Sequence, residues 1–191
     1  MCNIIELETE HLRLRQWKSE DYILYHELTS NQEVMRFFPK TLTKEQSNRA
    51  ARKFENLIAS RGWGFWAVEL KSSGTFIGYA GLHVPATLFP FSPCVEIGWR
   101  VEDKYWKNGY VQEAGEEILS CAFEELNLDK IVYFTSLLNT QAEGVMQELG
   151  MRDIGENFKH PKMSTSYSLE EHRLFTINKK EWYLHNNSIK H

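Results

Sequence analysis

The residues able to do chemistry here are a carboxylate at Glu96, glycines at Gly98 and Gly109, and polar side chains at Ser136 and Asn139. The first three fall within residues 94–114, which read as an apolar strand, a basic Gly-containing turn and the first turn of an amphipathic helix. A strand that empties into a helix N-terminus through such a turn is an anion cradle. The first helical N–H groups lack intrahelical partners, and the dipole adds about half a positive charge. The turn Trp106-Lys107-Asn108-Gly109-Tyr110-Val111 is therefore a predicted phosphate site. Gly109 lets the backbone pass close to a ligand, and the amides after it point outward as donors. Gly98, inside a strand, marks a bulge or a close backbone approach. Asn139 sits at the entry to a helix, as a cap, a ligand contact or both. Glu96 reads equally as an outward strand carboxylate or a proton acceptor, and Ser136 as a hydrogen-bonded strand end or a donor.

Those residues need elements to position them. Period-2 alternation over residues 11–17 predicts a strand, with Leu12, Leu14 and Gln16 on one side and Arg13, Arg15 and Trp17 on the other. A helix follows from a Ser19 cap to Leu28, and a second runs over 43–60 from a Thr43 cap, burying Ala50, Phe54, Leu57 and Ile58. Strands at 63–70 and 76–84 form a hairpin around a turn at 72–74. Strands at 95–101 and 128–136 flank a helix over 109–126, whose buried face is Val111, Ala114, Ile118, Ala122 and Leu126. A short helix over 140–149 stops at Gly150, and two strands follow near 151–158 and 169–177. The polar tail is expected to fray. Nothing marks a domain boundary, so one domain over 1–191 is expected.

Bulk composition narrows the function classes. A formal charge of -4 lacks the basic footprint of a nucleic-acid binder. The three cysteines have no CxxC spacing, and the histidines are scattered, so neither a disulfide framework nor a metal site is expected. No leader pattern and no apolar run near the ~20 residues of a membrane span are visible, which predicts a cytoplasmic protein with no membrane partner. Its oligomeric state is monomer or homodimer.

Parallel strands joined by the helix over 109–126 would end on the same side of a sheet. If the first bends away at Gly98, a V-shaped gap opens between them. Unpaired backbone groups lining the gap can hydrogen-bond an extended, amide-containing ligand as another strand would. A pyrophosphate at the helix N-terminus with an amide-rich arm in the gap describes coenzyme A.

With these residues in view, the chain resembles the GNAT superfamily of acetyl-CoA-dependent N-acetyltransferases, in particular the branch that includes the ribosomal-protein N-terminal alanine acetyltransferases. The likeness is carried by residues 7–15, by Phe76-Ile-Gly-Tyr-Ala-Gly-Leu82, Val95-Glu-Ile-Gly-Trp-Arg100 and Trp106-Lys-Asn-Gly-Tyr-Val-Gln-Glu-Ala114, and by Asn139 with Val145-Met-Gln-Glu-Leu-Gly-Met151. The resemblance spans about residues 7–177. It implies an α/β fold with a twisted mixed sheet of about seven strands flanked by helices, two splayed parallel strands forming the acetyl-CoA slot. It also implies cofactor contacts from Ile97, Gly98, Trp99, Arg100 and Val101, from the turn Trp106 to Val111, and from Asn139.

The chain departs from the family in its proton chemistry. Val111 replaces the last small residue of the pyrophosphate loop. The Tyr usual seven residues after the Asn is Met146, and the Ser usual three after it is Ala142, so both hydroxyls facing the thioester sulfur are missing. The leaving thiolate, whose conjugate acid has a pKa of roughly 8.5, needs little help, and Ser136 or a water can serve. The attacking ammonium must first lose a proton, and Glu96 is the expected acceptor, with backbone amides polarising the thioester carbonyl. The expected reaction is acetyl transfer to a primary amine in a ternary complex; the alternative is a non-catalytic acyl-CoA-binding domain. The acceptor is either a protein N-terminus or a small-molecule amine, read by loops 34–39, 85–93 and 158–168. Phe37, Phe38, Trp63, Phe91 and His160 are its candidate contacts, although ordinary packing explains the aromatics as well.

Overall fold

Leu12 and Leu14 enter the core from β2 (Leu12–Arg15), which pairs antiparallel with the short β1 (Leu7–Glu8) and with β3 (Phe65–Leu70). This computed structural model describes residues 2–161, 163 and 169–189. A tight turn sends β3 into β4 (Thr75–His83), and β4 pairs antiparallel with β5 (Glu96–Val101). β5 runs parallel to β6 (Lys130–Ser136), which pairs antiparallel with β8 (Glu171–Asn178); β7 (Arg152–Lys159) forms the far edge. The sheet order is β1-β2-β3-β4-β5-β6-β8-β7. This is the mixed α/β sheet expected, with eight strands rather than about seven. The extra one is β1, too short to show a period in sequence.

Helices α1 (Asp21–Ser30) and α2 (Lys44–Arg61) pack on each other and on β4 and β3. Thr43 caps α2 as expected, in a reciprocal capping box: its hydroxyl accepts from the Gln46 amide at 3.3 Å, and Gln46 Oε1 accepts from the Thr43 amide at 3.0 Å. Thr43→Ala should therefore lower unfolding stability by about 1 kcal/mol, read from denaturant midpoints at constant slope. Ile58 is fully buried and Ala50 and Phe54 pack partly buried against the core as expected, and Ser47 and Ala51 are buried beside them.

The alternation over 11–17 holds for the leucines and fails for Arg15 and Trp17, both buried. The reason is tertiary: α1 closes over that side. Arg15 donates from Nη1 and Nη2 to Asp21 at 2.7 and 2.9 Å and from Nε to Glu69 at 2.7 Å, while Trp17 Nε1 donates to the Phe65 carbonyl at 2.7 Å. Burial alone would raise the Glu69 carboxyl; the Arg15 and Lys18 charges hold it below the usual carboxylate range.

The β5–β6 crossover is α3 (Tyr110–Ser120), continued by a π-helical turn at Cys121–Glu125, where one regular helix was expected. Ala114, Ile118 and Ala122 are buried on its expected face. Helix α4 (Gln141–Glu148) follows β6 and packs on α3, with Leu149 against Gly115. Of the tail expected to fray, Lys179–Ile189 form α5, whose Trp182 packs on Phe123 at 5.5 Å, and residues 190 and 191 lie outside the described residues. Much of the expected acceptor loop 158–168, residues 162 and 164–168, lies outside the described residues. No helix among the described residues is long and apolar enough to cross a membrane.

Candidate active site

β5 and β6 begin side by side and then part. Their only ladder pair is Glu96 with Val132, supported by the Val132 amide donating to the Val95 carbonyl at 3.0 Å. Beyond it a cavity of about 570 Å³ opens, walled by Ile97–Val101 of β5 and Tyr133–Ser136 of β6. The opening is not made by a bulge at Gly98, as expected. The β4–β5 register runs unbroken through Gly81 and Gly98. Gly98 instead leaves room for Phe65, whose ring edge would stand 3.3 Å from any added Cβ. β6 leaves β5 after that one pair while staying paired with β8 along its whole length, so the gap lies between two strands of one continuous sheet.

One end of the cavity reaches the predicted phosphate turn through Trp106, Lys107 and Val111. Trp106 Nε1 donates to the Val101 carbonyl at 2.8 Å, which ties the turn to the end of β5. Gly109 has φ 75° and precedes the first residue of α3; a Cβ there would meet nothing within 4 Å. Tyr110, Val111 and Gln112 then open the helix with amides that lack intrahelical acceptors. The backbone thus offers an open, cationic cradle of the kind a pyrophosphate needs. Asn108, Gly109 and Tyr110 do not themselves line the cavity, and the Tyr110 ring lies by His11 and Tyr105.

The polar candidates converge on the same space. Glu96, Ser136 and Asn139 all line it. Asn139 does not cap α4: its amide nitrogen donates to Thr135 Oγ1 at 3.0 Å, and Thr140 holds the cap position. The Ser136 side chain is 2% exposed, and its carbonyl accepts from the Asn139 amide at 2.9 Å. Burial pushes the Tyr133 phenol up to about 12; the Thr135 hydroxyl works against this and the Glu96 charge adds to it. Burial likewise raises Tyr79, with Arg100 opposing and Glu96 adding. Both phenols therefore stay protonated at neutral pH. Ala142 and Val145 face the cavity, whereas Met146 is fully buried in the core. The seven-residue spacing from Asn139 thus points into the protein rather than at the slot.

The aromatic candidates divide. Phe37, Phe38 and His160 line the cavity; Trp63 and Phe91 do not. Trp63 lies under the Arg61 guanidinium, 3.7 Å from its ring centre, and Phe91 stacks on Phe89 at 5.2 Å behind Phe134. The segment 34–39 is both plug and wall, with Val34 and Met35 buried and Phe37 and Phe38 at the cavity.

Sequence reasoning missed three contributors. Arg36 crosses the cavity as a strap: Nη2 donates to Gln141 Oε1 at 2.8 Å, its Cζ lies 5.0 Å over Trp106, and it pairs with Glu33. Tyr133 stacks on Trp99 at 4.8 Å across the open strands. His172 lines the wall beside His160 at 4.9 Å, its basicity lowered mainly by burial. Only the strand alternation that puts Tyr133 opposite Phe134 in an apolar run was visible beforehand. Among the described residues no cluster of three or more His, Cys, Asp or Glu is arranged to hold a metal ion.

Comparison with known proteins agrees with this geometry. An uncharacterized N-acetyltransferase, YnaD of Bacillus subtilis (strain 168), is 28% identical over 151 residues, covering 79% of this chain and 85% of its own. The FsC-acetyl coenzyme A-N(2)-transacetylase of Aspergillus fumigatus is 29% identical over 184 residues, covering 92% and 77%. The crystal structure of a GNAT-family acetyltransferase from Bacillus anthracis superposes with a TM-score of 0.76 at 26% identity, covering 92% of this chain and 99% of that one. Residues 11–152, most of the chain, match the family described as the acetyltransferase (GNAT) domain. With its sheet, its splayed strands and its turn already in that arrangement, the chain belongs to the GNAT family of acetyltransferases.

Proposed function

We propose that this chain transfers the acetyl group of acetyl-CoA to a primary amine, by direct attack in a ternary complex. The observation that carries the reading is the parting of β5 from β6 after a single ladder pair, with the gap leading straight to the helix-opening turn at Gly109. An amide-bearing pantetheine arm can complete the free edge of β5, and the diphosphate can take the Tyr110–Gln112 amides. Glu96 accepts the ammonium proton, and a β5 amide polarises the thioester carbonyl. Ser136 and Tyr133 are the protonated hydroxyls on the departing sulfur's side of the gap. The relative named an acetyl coenzyme A transacetylase supports the same donor.

The acceptor is a small-molecule amine or a protein N-terminus. The same reading makes the chain a cytoplasmic, single-domain enzyme, monomer or homodimer, that needs neither nucleic acid nor membrane. Thiol release from acetyl-CoA across a panel of amines and N-terminal peptides tests it. Amine-dependent release that is first order in both substrates at low concentration is the expected result. Tight acetyl-CoA binding with no release for any acceptor would sink it and leave a binding domain.

A further inference from the structure

Among the described residues Arg100 is a buried cation with no anion beside it. It is 8% exposed and lines the cavity, yet no hydrogen bond or ion pair joins it to any described residue, and its Nε has no partner at all. Residues 1, 162, 164–168, 190 and 191, outside the described set, include no Asp or Glu. Its contacts are aromatic: Cζ lies 3.9 Å over the Phe38 ring and 5.6 Å from Tyr79. Ring faces soften a guanidinium's desolvation without replacing a counter-ion. The chain itself supplies the contrast. Arg15, equally buried, is met by both Asp21 and Glu69. A second buried arginine that faces a cavity and is met by no carboxylate among the described residues is placed to receive an anion that enters the cavity.

We propose that Arg100 receives a carboxylate on the acceptor, so that the substrate is a small amine that also carries a carboxylate group. This rests on the acetyl-transfer reading of the same cavity. Strand alternation sets Arg100 and Glu96 on one face of β5, four residues or roughly 13 Å apart at Cα. Both side chains reach inward, so an amine at Glu96 and a carboxylate at Arg100 belong to one compact molecule. The unpaired Nε, with a neighbouring Nη, presents the flat two-donor edge that a carboxylate matches. The donor's phosphates are not the better match. They have the backbone turn beyond Trp106 and the exposed Lys107, whereas Arg100 sits between the rings of Phe38 and Tyr79. Arg36 is not an equivalent site, because Glu33 and Gln141 already occupy it.

The test compares amino acids with their own amides: glycine, β-alanine and γ-aminobutyrate against the matching amides, with kcat/KM corrected for the free-amine fraction at each pH. The wild type should favour the acid by at least about tenfold in one or more pairs, because an amide leaves the guanidinium unpaired. Arg100→Met should collapse that ratio to within about twofold, chiefly through KM, and Arg100→Lys should leave an intermediate ratio. No acid preference in the wild type, or one that survives Arg100→Met, overturns the proposal. Turnover of amides or N-terminal peptides without acid preference leaves acetyl transfer standing and removes only the carboxylate. If no acceptor turns over, calorimetric titration of the same acids still decides: binding to wild type that Arg100→Met abolishes supports the site, and no binding to wild type overturns it. The melting temperature of Arg100→Met should not fall, since an unpaired buried charge is removed; a large fall would make Arg100 a structural residue and overturn its receptor role.

Discussion

Glu96→Gln should lower kcat for acetyl transfer by about 10²–10³-fold, the range of a positioned general base, while shifting the KM for acetyl-CoA by less than about threefold. The expectation comes from position and charge together. Glu96 is the last β5 residue still paired with β6 and the first at the mouth of the gap. Burial is the main cause of the raised phenols of Tyr79 and Tyr133, which line the cavity, and the nearby Glu96 charge adds to it. Glutamine keeps the shape and the hydrogen-bonding reach but cannot take a proton. The pH profile separates this role from a structural one. The α-amine of a peptide N-terminus has a pKa of roughly 7.7–8.0, so with such a peptide as acceptor the free base is abundant above that pH and needs no proton acceptor. The variant's deficit should therefore shrink as pH rises through that range. A deficit that stays constant with pH, or equal activity at pH 7, would demote Glu96 to a strand carboxylate.

What could be read from sequence follows from how local each signal is. The turn at Gly109, the Thr43 capping box and the stop after α4 are set by residues adjacent in the chain, and the fold has them where expected. The parallel strands were legible because one amphipathic helix must connect them, whereas the gap was expected from a bend at Gly98 that β5 does not make. Signals that depend on what covers a residue were misread. Arg15 and Trp17 alternate with leucines and so looked solvent-facing until α1 closed over them. Gly98 looked like a bulge because a strand glycine is ambiguous between a bent backbone and a large neighbour; Phe65 is that neighbour. Trp63 and Phe91 were placed at the acceptor on aromatic character alone, and packing on Arg61 and on Phe89 absorbs them.

The polar lining of the cavity was only half visible for the same reason. Asn139 and Ser136 announce themselves by position at the end of a strand. Arg100 was legible as one residue of a motif, but not as a cation without an anion, because that status requires a census of everything folded around it. The Arg36 strap joins a loop to a helix 105 positions away, and no local pattern contains it. Position 146, where the family usually has Tyr, is more instructive. The residue is methionine, and its side chain is buried while Val145 faces the slot. The missing Tyr is thus not a vacancy in the cavity wall, and the β6 hydroxyls that do line the cavity are those of Tyr133, Thr135 and Ser136.

Gly109→Trp should weaken acetyl-CoA binding by roughly 100-fold, because losing one or two charge-assisted hydrogen bonds costs about 1.5–3 kcal/mol each. Two effects must be separated. Any side chain at φ 75° is strained by about 1–2 kcal/mol, which should lower the melting temperature by a few degrees in a chain of this size. Gly109→Ala carries that strain without bulk, and the space around its Cβ is open. Alanine should therefore match tryptophan in lost stability and keep acetyl-CoA affinity within about fivefold of wild type. The indole, by contrast, must lie over the Tyr110–Gln112 amides or swing out into solvent. Calorimetric titration with acetyl-CoA and with dephospho-CoA then locates the loss. An equal loss for both ligands places it at the diphosphate, which they share. A loss confined to the 3′-phosphate ligand would move the contact away from this turn, and unchanged affinity in the tryptophan variant would remove the diphosphate from it altogether. The strap over Trp106 gives an internal control: Arg36→Ala frees the same end of the cavity without touching the amides, so it should not reproduce the tryptophan effect.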